Sequence, residues 1–327
     1  MIQPFESQAM MRTAVLTGPR TCEIKRIPIP TPGPGELRIR IQGCGVCGSN
    51  AASWEGMPWT QYPLEPGAPG HETWGIVDAL GPGVSDFKLG DRVTALSYRG
   101  YAEYDLAKAS ETIALPQSLD ALPFPGEAFG CAMNIFRRGE IRAGQTVAIV
   151  GIGFLGAALT RLVSKAGARV LAISRRPYAL EIAKAMGADE LIPMDDHAKI
   201  ISRVKALTSG VLCDRVIEAA GKQWPLDLAA ELTRERGRLI IAGYHQDGSR
   251  QVNMQLWNWR GLDVINAHER DAQVYLAGIR DSIQAAVSGT LNPALLITKT
   301  FPLERLGEAL EATIQRPDGF LKAVVAV

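Results

Sequence analysis

The stretch from Thr146 to Gly167 constrains the fold of this chain more than any other. An apolar run, Thr146-Val-Ala-Ile-Val150, ends in Gly151-Ile-Gly-Phe-Leu-Gly156, and apolar residues then recur at Leu155, Ala158, Leu159, Leu162, Val163 and Ala166 until Gly167. The first pattern suits a buried strand, the last an amphipathic helix, and the glycines between them a tight turn. Strand, glycine turn and helix in that order make one unit of a parallel α/β sheet. In such a unit Gly151 permits the turn, Gly153 lets backbone N–H groups approach a pyrophosphate, and Gly156 allows the helix to lie close to the strand. Phe154 and Leu155 belong to the same loop and are expected beside the cofactor. Further strand candidates fall at 170–173, 190–192, 215–219, 238–242 and 262–266. With the first they make six, the number in a full doubly wound dinucleotide-binding sheet.

The chain before this region reads differently. Short strands cut by Gly and Pro recur at 37–41, at 75–79 running into Gly81-Pro-Gly83, and at 92–96 after Gly90-Asp91. That is an all-β composition. After about Glu269 the pattern turns mixed and ends in an apolar stretch at 321–327. A chain of 327 residues exceeds what one core usually serves. The expected organisation is therefore a β-rich domain from 1–127 and 270–327 around a dinucleotide-binding domain at 128–269. The first strand-like stretch starts at Thr13, so residues 1–10 are expected to be a frayed extension or to follow an upstream start codon.

Charge and cysteine content narrow the function classes. The formal net charge is +1 and the longest cationic runs are pairs such as Arg137-Arg138 and Arg175-Arg176, so no basic patch draws nucleic acid or an acidic membrane. Small molecules are the expected partners. Five cysteines, Cys22, Cys44, Cys47, Cys131 and Cys213, form an odd and scattered set that suits a reducing compartment rather than a disulfide framework. No signal segment opens the chain and no apolar run approaches the ~18 residues of a membrane span, which makes a cytoplasmic location the expectation.

Two short segments carry metal-binding chemistry. Cys44-Gly-Val-Cys47-Gly-Ser49-Asn50 offers thiolates, and Gly70-His71-Glu72 offers an imidazole beside a carboxylate. A Cys and a His in different loops can hold a metal with an open position. Read alone, the lone CxxC also suits half a zinc ribbon or a redox pair, although no second CxxC is present. The end of the second strand of the parallel sheet carries Ser174-Arg175-Arg176. A carboxylate there would bind a ribose 2′-hydroxyl, whereas a guanidinium pairs with a 2′-phosphate. NADP(H) is therefore expected over NAD(H). In the alternative, an NAD(H) enzyme, these arginines stack on adenine or face solvent.

Taken in order, GCGVCGSN, PGAPGHETWGIV, GDRV and VGIGFLG resemble the zinc-containing medium-chain alcohol dehydrogenases, over nearly the whole chain from about Met11. The resemblance implies a GroES-like catalytic domain split around a Rossmann domain, and hydride transfer assisted by one catalytic zinc. Only one metal is implied, because the family's four-cysteine structural-zinc lobe is missing. By motif position Cys47 and His71 are zinc ligands, Glu72 coordinates or exchanges with water, and Ser49 takes the substrate proton. The remaining ligand is Glu127, as in polyol dehydrogenases, or Cys131 four residues later, as in alcohol dehydrogenases. Asn50 stands where the family usually has the Asp that orients the ligand histidine, and Ala52 where some members have a relay histidine. Ala219, Gly243, Tyr244 and Lys322 fall at cofactor-binding positions, with Lys322 reaching back to the pyrophosphate. Trp54, Tyr98, His245 and His268 fall where substrate is expected, and Trp59 lies just after the Cys loop.

The implied activity interconverts a secondary alcohol, polyol or sugar with its ketone, in a homodimer or homotetramer. Two alternatives remain: a zinc-independent quinone or enone reductase, and a non-catalytic NADP-binding sensor or structural protein.

Overall fold

The computed structural model describes residues 9–327. The extension expected at residues 1–10 lies largely outside them, and its last residue is already in a strand, since Met10 pairs with Pro28.

In chain order the elements begin with β1 (Met10–Gly18), β2 (Thr21–Pro28), β3 (Glu36–Gly45), α1 (Asn50–Glu55) and β4 (Glu72–Leu80). Next come β5 (Arg92–Ala95), β6 (Tyr104–Lys108), β7 (Thr112–Ala114) and α2 (Gly126–Gly139). An alternating series follows: β8 (Thr146–Val150), α3 (Phe154–Lys165), β9 (Arg169–Ser174), α4 (Pro177–Ala185), β10 (Glu190–Pro193), α5 (His197–Leu207), β11 (Cys213–Glu218) and α6 (Gln223–Leu232). It continues through β12 (Thr233–Ile241), α7 (Met254–Arg260) and β13 (Asp263–Asn266). The last elements are α8 (Ala272–Val287), α9 (Pro293–Leu296), β14 (Lys299–Pro302), α10 (Leu306–Gln315) and β15 (Ala323–Ala326).

The described residues up to Glu127, with Lys299–Gln315 and Ala323–Val327, form one compact unit, and Ala128–Thr298 with Arg316–Lys322 form the other. Residues 270–298, assigned from sequence to the β-rich domain, thus pack with the parallel sheet's unit. The reason is a close helix pair. A Cβ on Gly130 of α2 would lie 2.7 Å from the Ile279 side chain, and one on Gly278 of α8 would lie 2.6 Å from the Gly130 carbonyl oxygen.

The second unit holds a six-stranded parallel sheet in the order β10-β9-β8-β11-β12-β13, the doubly wound arrangement. Strand β8 is flanked on both edges and covered on both faces, so Val147, Ala148, Ile149 and Val150 are all fully buried. This explains a continuous apolar run rather than an alternating one. Helix α3 turns Ala157, Ala158, Leu159, Leu162 and Val163 inward and stops before Gly167, which adopts φ +79°. Strand β12 starts at Thr233, five residues before the expected strand at 238, with Arg236 in the left-handed region within it.

The first unit is built on a seven-stranded sheet in the order β14-β15-β3-β4-β5-β7, with β6 also pairing β3. Leu37, Ile39, Val77, Val93, Ala95 and Ala107 form a core between its strands. Cys44 is fully buried in β3, while Cys47 lies beyond the strand in a loop, so the two halves of the CxxC have separate roles. All five cysteines are free thiols. No helix among the described residues is long and apolar enough to cross a membrane.

The glycine turn after β8 separates two reasons for glycine. A Cβ on Gly156 would sit 2.1 Å from the backbone oxygen of Gly151, whereas one on Gly153 would meet nothing within 4 Å. Gly156→Ala should therefore lower stability by about 1–3 kcal/mol in urea unfolding. Gly153→Ala should leave stability within about 0.5 kcal/mol of the parent while weakening dinucleotide binding. Equal stability losses in the two variants would show that the backbone crowding at Gly156 does not decide its identity.

Candidate metal centre and cofactor cradle

Strand pairing assembles the metal centre. In the antiparallel ladder of β3 and β4, Gly45 lies opposite Glu72, so the residues just beyond one strand end meet those just before the other strand start. Cys47 stands two residues past Gly45, in a turn closed by Asn50 N–H donating to the Cys47 carbonyl at 3.1 Å. His71 immediately precedes Glu72. Ligand atoms of Cys47, His71 and Glu72 all lie within 4.8 Å of one another.

The surroundings of this group fix Glu72 and His71 in place. Glu72 is 1% exposed, and its carboxylate packs directly over Gly45, where a Cβ would come within 1.8 Å of Oε2. The strand end is glycine because the carboxylate occupies the space a side chain would take. His71 donates from Nδ1 to the Pro69 carbonyl at 2.8 Å. A carbonyl oxygen only accepts, so Nδ1 carries a proton, and Nε2 is the nitrogen that a metal would take in exchange for its own proton. Burial works against a charged His71, but the hydrogen bond and charge of Cys47, followed by the charges of Glu127 and Glu72, raise its pKa to about 10. The pocket is thus rich in negative charge. A thiolate, an imidazole and a buried carboxylate are a donor set that suits zinc, and these residues fit the ion.

Glu127 acts on His71 through its charge but is not a member of the tight group. Cys131 is four residues further along α2 and belongs to the second compact unit. Ser49 is the residue before α1 and makes no side-chain cap bond, which leaves its hydroxyl uncommitted to the helix. Tyr98 is exposed, with its ring nearly parallel to that of His71 at a centroid distance of 6.4 Å. Trp54, expected at the substrate, is buried and donates from its indole to Glu311 at 2.8 Å, while Trp59 is exposed.

The glycine loop and its surroundings form a cradle in the second unit. Gly151 has φ +103° and no room for a Cβ beside Ala220, so both its conformation and its neighbour demand glycine. Among the described residues nothing lies within 4 Å of a Cβ built on Gly153, so the backbone there is open to close approach by a ligand. The N–H groups of the first turn of α3 favour an anion. Phe154 and Leu155 open that helix, and the buried Lys322 places Nζ 4.6 Å from the Phe154 ring centroid. A buried ammonium at a helix N-terminus fits a dinucleotide's phosphates.

At the end of β9 the two arginines diverge. Arg176 donates to the carbonyls of Phe320 and Ile152, the latter at 3.2 Å, and so ties the C-terminal segment to the glycine loop. Its guanidinium pKa is lowered by burial and then by the positive charge of Arg316, with Arg175 contributing further. Arg175 and Arg316 are both exposed. Arg316 lies 140 residues after Ser174-Arg175-Arg176, and no local pattern links them, so sequence reasoning missed it. Ser174 is buried beneath them.

At the ends of β11 and β12, Ala219 donates to Val150 O and Gly243 N–H to Glu218 O, both at 2.9 Å. Gly243 must be glycine because a Cβ would lie 2.3 Å from the Gly221 nitrogen. Glu218, also missed from sequence, is fully buried and accepts from Ala220 and Gly221 N–H at 2.8 and 2.7 Å. A lone carboxylate closing the run Val216-Ile-Glu218 was the available signal. Its other oxygen meets His245 Nε2 at 3.0 Å, and Arg250 donates to His245 Nδ1 at 2.8 Å, so both ring nitrogens of His245 are engaged within the protein. Tyr244 and His268 are exposed, with ring centroids 5.7 Å apart.

Residues 33–133 match the alcohol dehydrogenase GroES-like domain family and residues 151–284 the zinc-binding dehydrogenase family. An alcohol dehydrogenase, notN, of Aspergillus sp. (strain MF297-2) is 31% identical over 89% of this chain and 90% of its own length. Sorbitol dehydrogenase of Bacillus subtilis (strain 168) is 25% identical over 96% of this chain and 97% of its own. A structure described as a zinc-binding dehydrogenase from Sinorhizobium meliloti 1021 bound to NADP shares the fold, with a TM-score of 0.83, 24% identity and coverage of 98% of this chain and 100% of that one.

The contact of Glu72 with Gly45 gives a test in which none of the three donor residues is itself substituted. Gly45→Ala should displace the Glu72 carboxylate and weaken zinc binding about 10–100-fold, read by metal analysis after dialysis against a weak chelator. Undiminished zinc in this variant would place Glu72 outside the set that holds the ion.

Proposed function

The chain belongs to the zinc-binding medium-chain dehydrogenase/reductase family and is an NAD(P)-dependent, alcohol/polyol dehydrogenase-like oxidoreductase, and from that premise we propose that it interconverts a secondary alcohol, polyol or sugar with its ketone, with NADP(H) preferred. The observation that carries this reading is the group of Cys47, His71 and Glu72 at the joined ends of β3 and β4. These residues would hold one zinc, with Glu127 as the further ligand and Cys131 as its alternative. When bound, zinc would supply a Lewis acid that makes an alcohol easier to deprotonate, and the nicotinamide cofactor would supply the hydride chemistry.

The chain's own groups do the rest. Ser49, next to the Cys47 turn and free of a capping bond, takes the substrate proton. Glu72, buried against Gly45, would offer its carboxylate to the ion as a ligand or give way there to water. His71 keeps one tautomer because Pro69 accepts its Nδ1 proton. In the other unit the α3 N-terminus and Lys322 bind the pyrophosphate, while Ser174, Arg175 and Arg316 receive the 2′-phosphate. Arg176 serves as the clamp that brings the segment bearing Arg316 to β9.

Purified protein should contain about one zinc per chain. Cys47→Ser should abolish dehydrogenase turnover and leave the melting behaviour near that of the parent. Turnover is best sought across polyols, sugars and simple secondary alcohols with both cofactors. On the best substrate, the ratio of kcat/KM values should favour NADP(H), and Ser174→Asp combined with Arg175→Ala should invert it, mostly through cofactor affinity. A parent enzyme that uses NAD(H) equally well would remove the arginines from phosphate recognition.

A further inference from the structure

His245, expected at the substrate from its place after β12, has both ring nitrogens spent inside its own unit. Arg250 Nε approaches Nδ1 at 2.8 Å, and a guanidinium only donates, so Nδ1 is the acceptor. Nε2 therefore carries the proton and donates it to Glu218 Oε2 at 3.0 Å. One neutral tautomer satisfies both partners.

These bonds join two loops. Glu218 closes β11 and is fully buried, and its two oxygens divide their work. Oε1 accepts Ala220 and Gly221 N–H of the loop after β11 at 2.8 and 2.7 Å, and Oε2 accepts His245 of the loop after β12. Arg250 donates again to the Gly221 carbonyl at 3.0 Å and bonds Asp247, which pairs with Lys222 of the first loop at 2.6 Å. The loops are also in close contact. A Cβ on Gly221 would lie 2.8 Å from the Tyr244 carbonyl oxygen, and one on Gly243 would lie 2.6 Å from Glu218 Oε2.

Both loops leave the carboxyl ends of strands in the half of the sheet formed by β11, β12 and β13. A doubly wound sheet binds a dinucleotide across such ends, one mononucleotide to each half. The glycine loop after β8 and Ser174-Arg175-Arg176 after β9 belong to the adenine half, so the β11 and β12 loops belong to the nicotinamide half.

We propose that His245, held between Glu218 and Arg250, is a positioning residue for the nicotinamide half of the cofactor: it fastens the β12 loop to the β11 loop in the arrangement that receives the nicotinamide mononucleotide. Without it Glu218 Oε2 would lose its proton donor in a fully buried place and Arg250 Nε its acceptor, a mismatch that releases the β12 loop. The proposal rests on the reading of this unit as a dinucleotide site. It differs from a purely structural role, in which losing the bonds would lower stability and leave binding as it is.

Binding of the whole cofactor and of its adenine half alone, measured by calorimetry on the full-length protein, separates these outcomes. The probes are NADPH with adenosine 2′,5′-bisphosphate, and NADH with AMP, the pair that the parent binds more tightly being followed. In His245→Leu a receptive loop arrangement held about a tenth of the time should weaken the dinucleotide about 10-fold and leave the adenine half unchanged. The change in nicotinamide emission on binding should shrink with it. His245→Gln, whose amide offers one donor and one acceptor, should restore most of the affinity. A parent that binds neither dinucleotide would overturn the cofactor reading itself. A normal parent with His245→Leu unchanged in dinucleotide affinity, melting earlier only, or weakened equally toward the adenine half would overturn the role of His245 and leave the cofactor reading intact. Should His245→Leu fail to fold, Arg250→Met removes the other partner and keeps the bond to Glu218. Unchanged dinucleotide affinity and emission in that variant would overturn the proposal equally.

Discussion

The pairing register of β3 with β4 is the constraint on which the metal centre depends. With Gly45 opposite Glu72, the Cys47 turn and His71 emerge side by side at the same end of the sheet. A slip by one residue would turn every side chain of one strand to the other face and separate them. That register is held by the buried residues Leu37, Ile39 and Val77, far along the ladder from the chemistry. The absence of a side chain at Gly45 then admits the Glu72 carboxylate. Stability of the sheet and placement of the donors are thus one requirement.

A second layer of order comes from polar groups that never reach the ion. Asn50, Pro69 and Tyr101 form a saturated set of hydrogen bonds around the two loops. Tyr101 is fully buried and its hydroxyl is satisfied by Asn50, so the set sits in a water-poor interior where each bond is strongly directional. The His71 tautomer follows from a backbone oxygen rather than from a carboxylate. The charge in the pocket therefore comes from the donor side chains and Glu127.

In the parallel sheet's unit, similar-looking residues divide their labour. Gly151 is set by its positive φ and Gly156 by contact with the Gly151 oxygen, while Gly153 faces open space. Arg175 and Arg176 are neighbours in sequence, yet Arg176 spends its guanidinium on the Ile152 and Phe320 carbonyls and Arg175 stays exposed. A half-buried guanidinium must find acceptors, and the turn after β8 and the C-terminal segment supply one carbonyl each. His245 shows the same rule: its nitrogens are satisfied by Glu218 and Arg250 within its own unit.

Short-range pattern in the chain was enough to reveal the alternating α/β series, its six strands and the glycine loop, because periodicity and spacing within a few residues translate directly into type and order, whereas Cys47, His71 and Glu72 were singled out by resemblance in motif order and are brought together by the fold. Other features depended on contacts between distant segments. Residues 270–298 joined the second unit because Gly130 and Gly278 let α2 and α8 approach, which no periodicity reports. Arg316 comes close enough to Arg176 for their charges to interact, and Arg176 holds the Phe320 carbonyl of the same C-terminal segment. Asn50 reads in the sequence as a lost charge, and only folding brings its amide to donate to the Pro69 carbonyl. Sequence by itself determined which chemical groups this protein carries and the local elements that bear them. Tertiary structure decided which of those groups are spent holding the fold and which are left to act, because burial forces each polar atom to find its partner among residues that the chain order does not bring together.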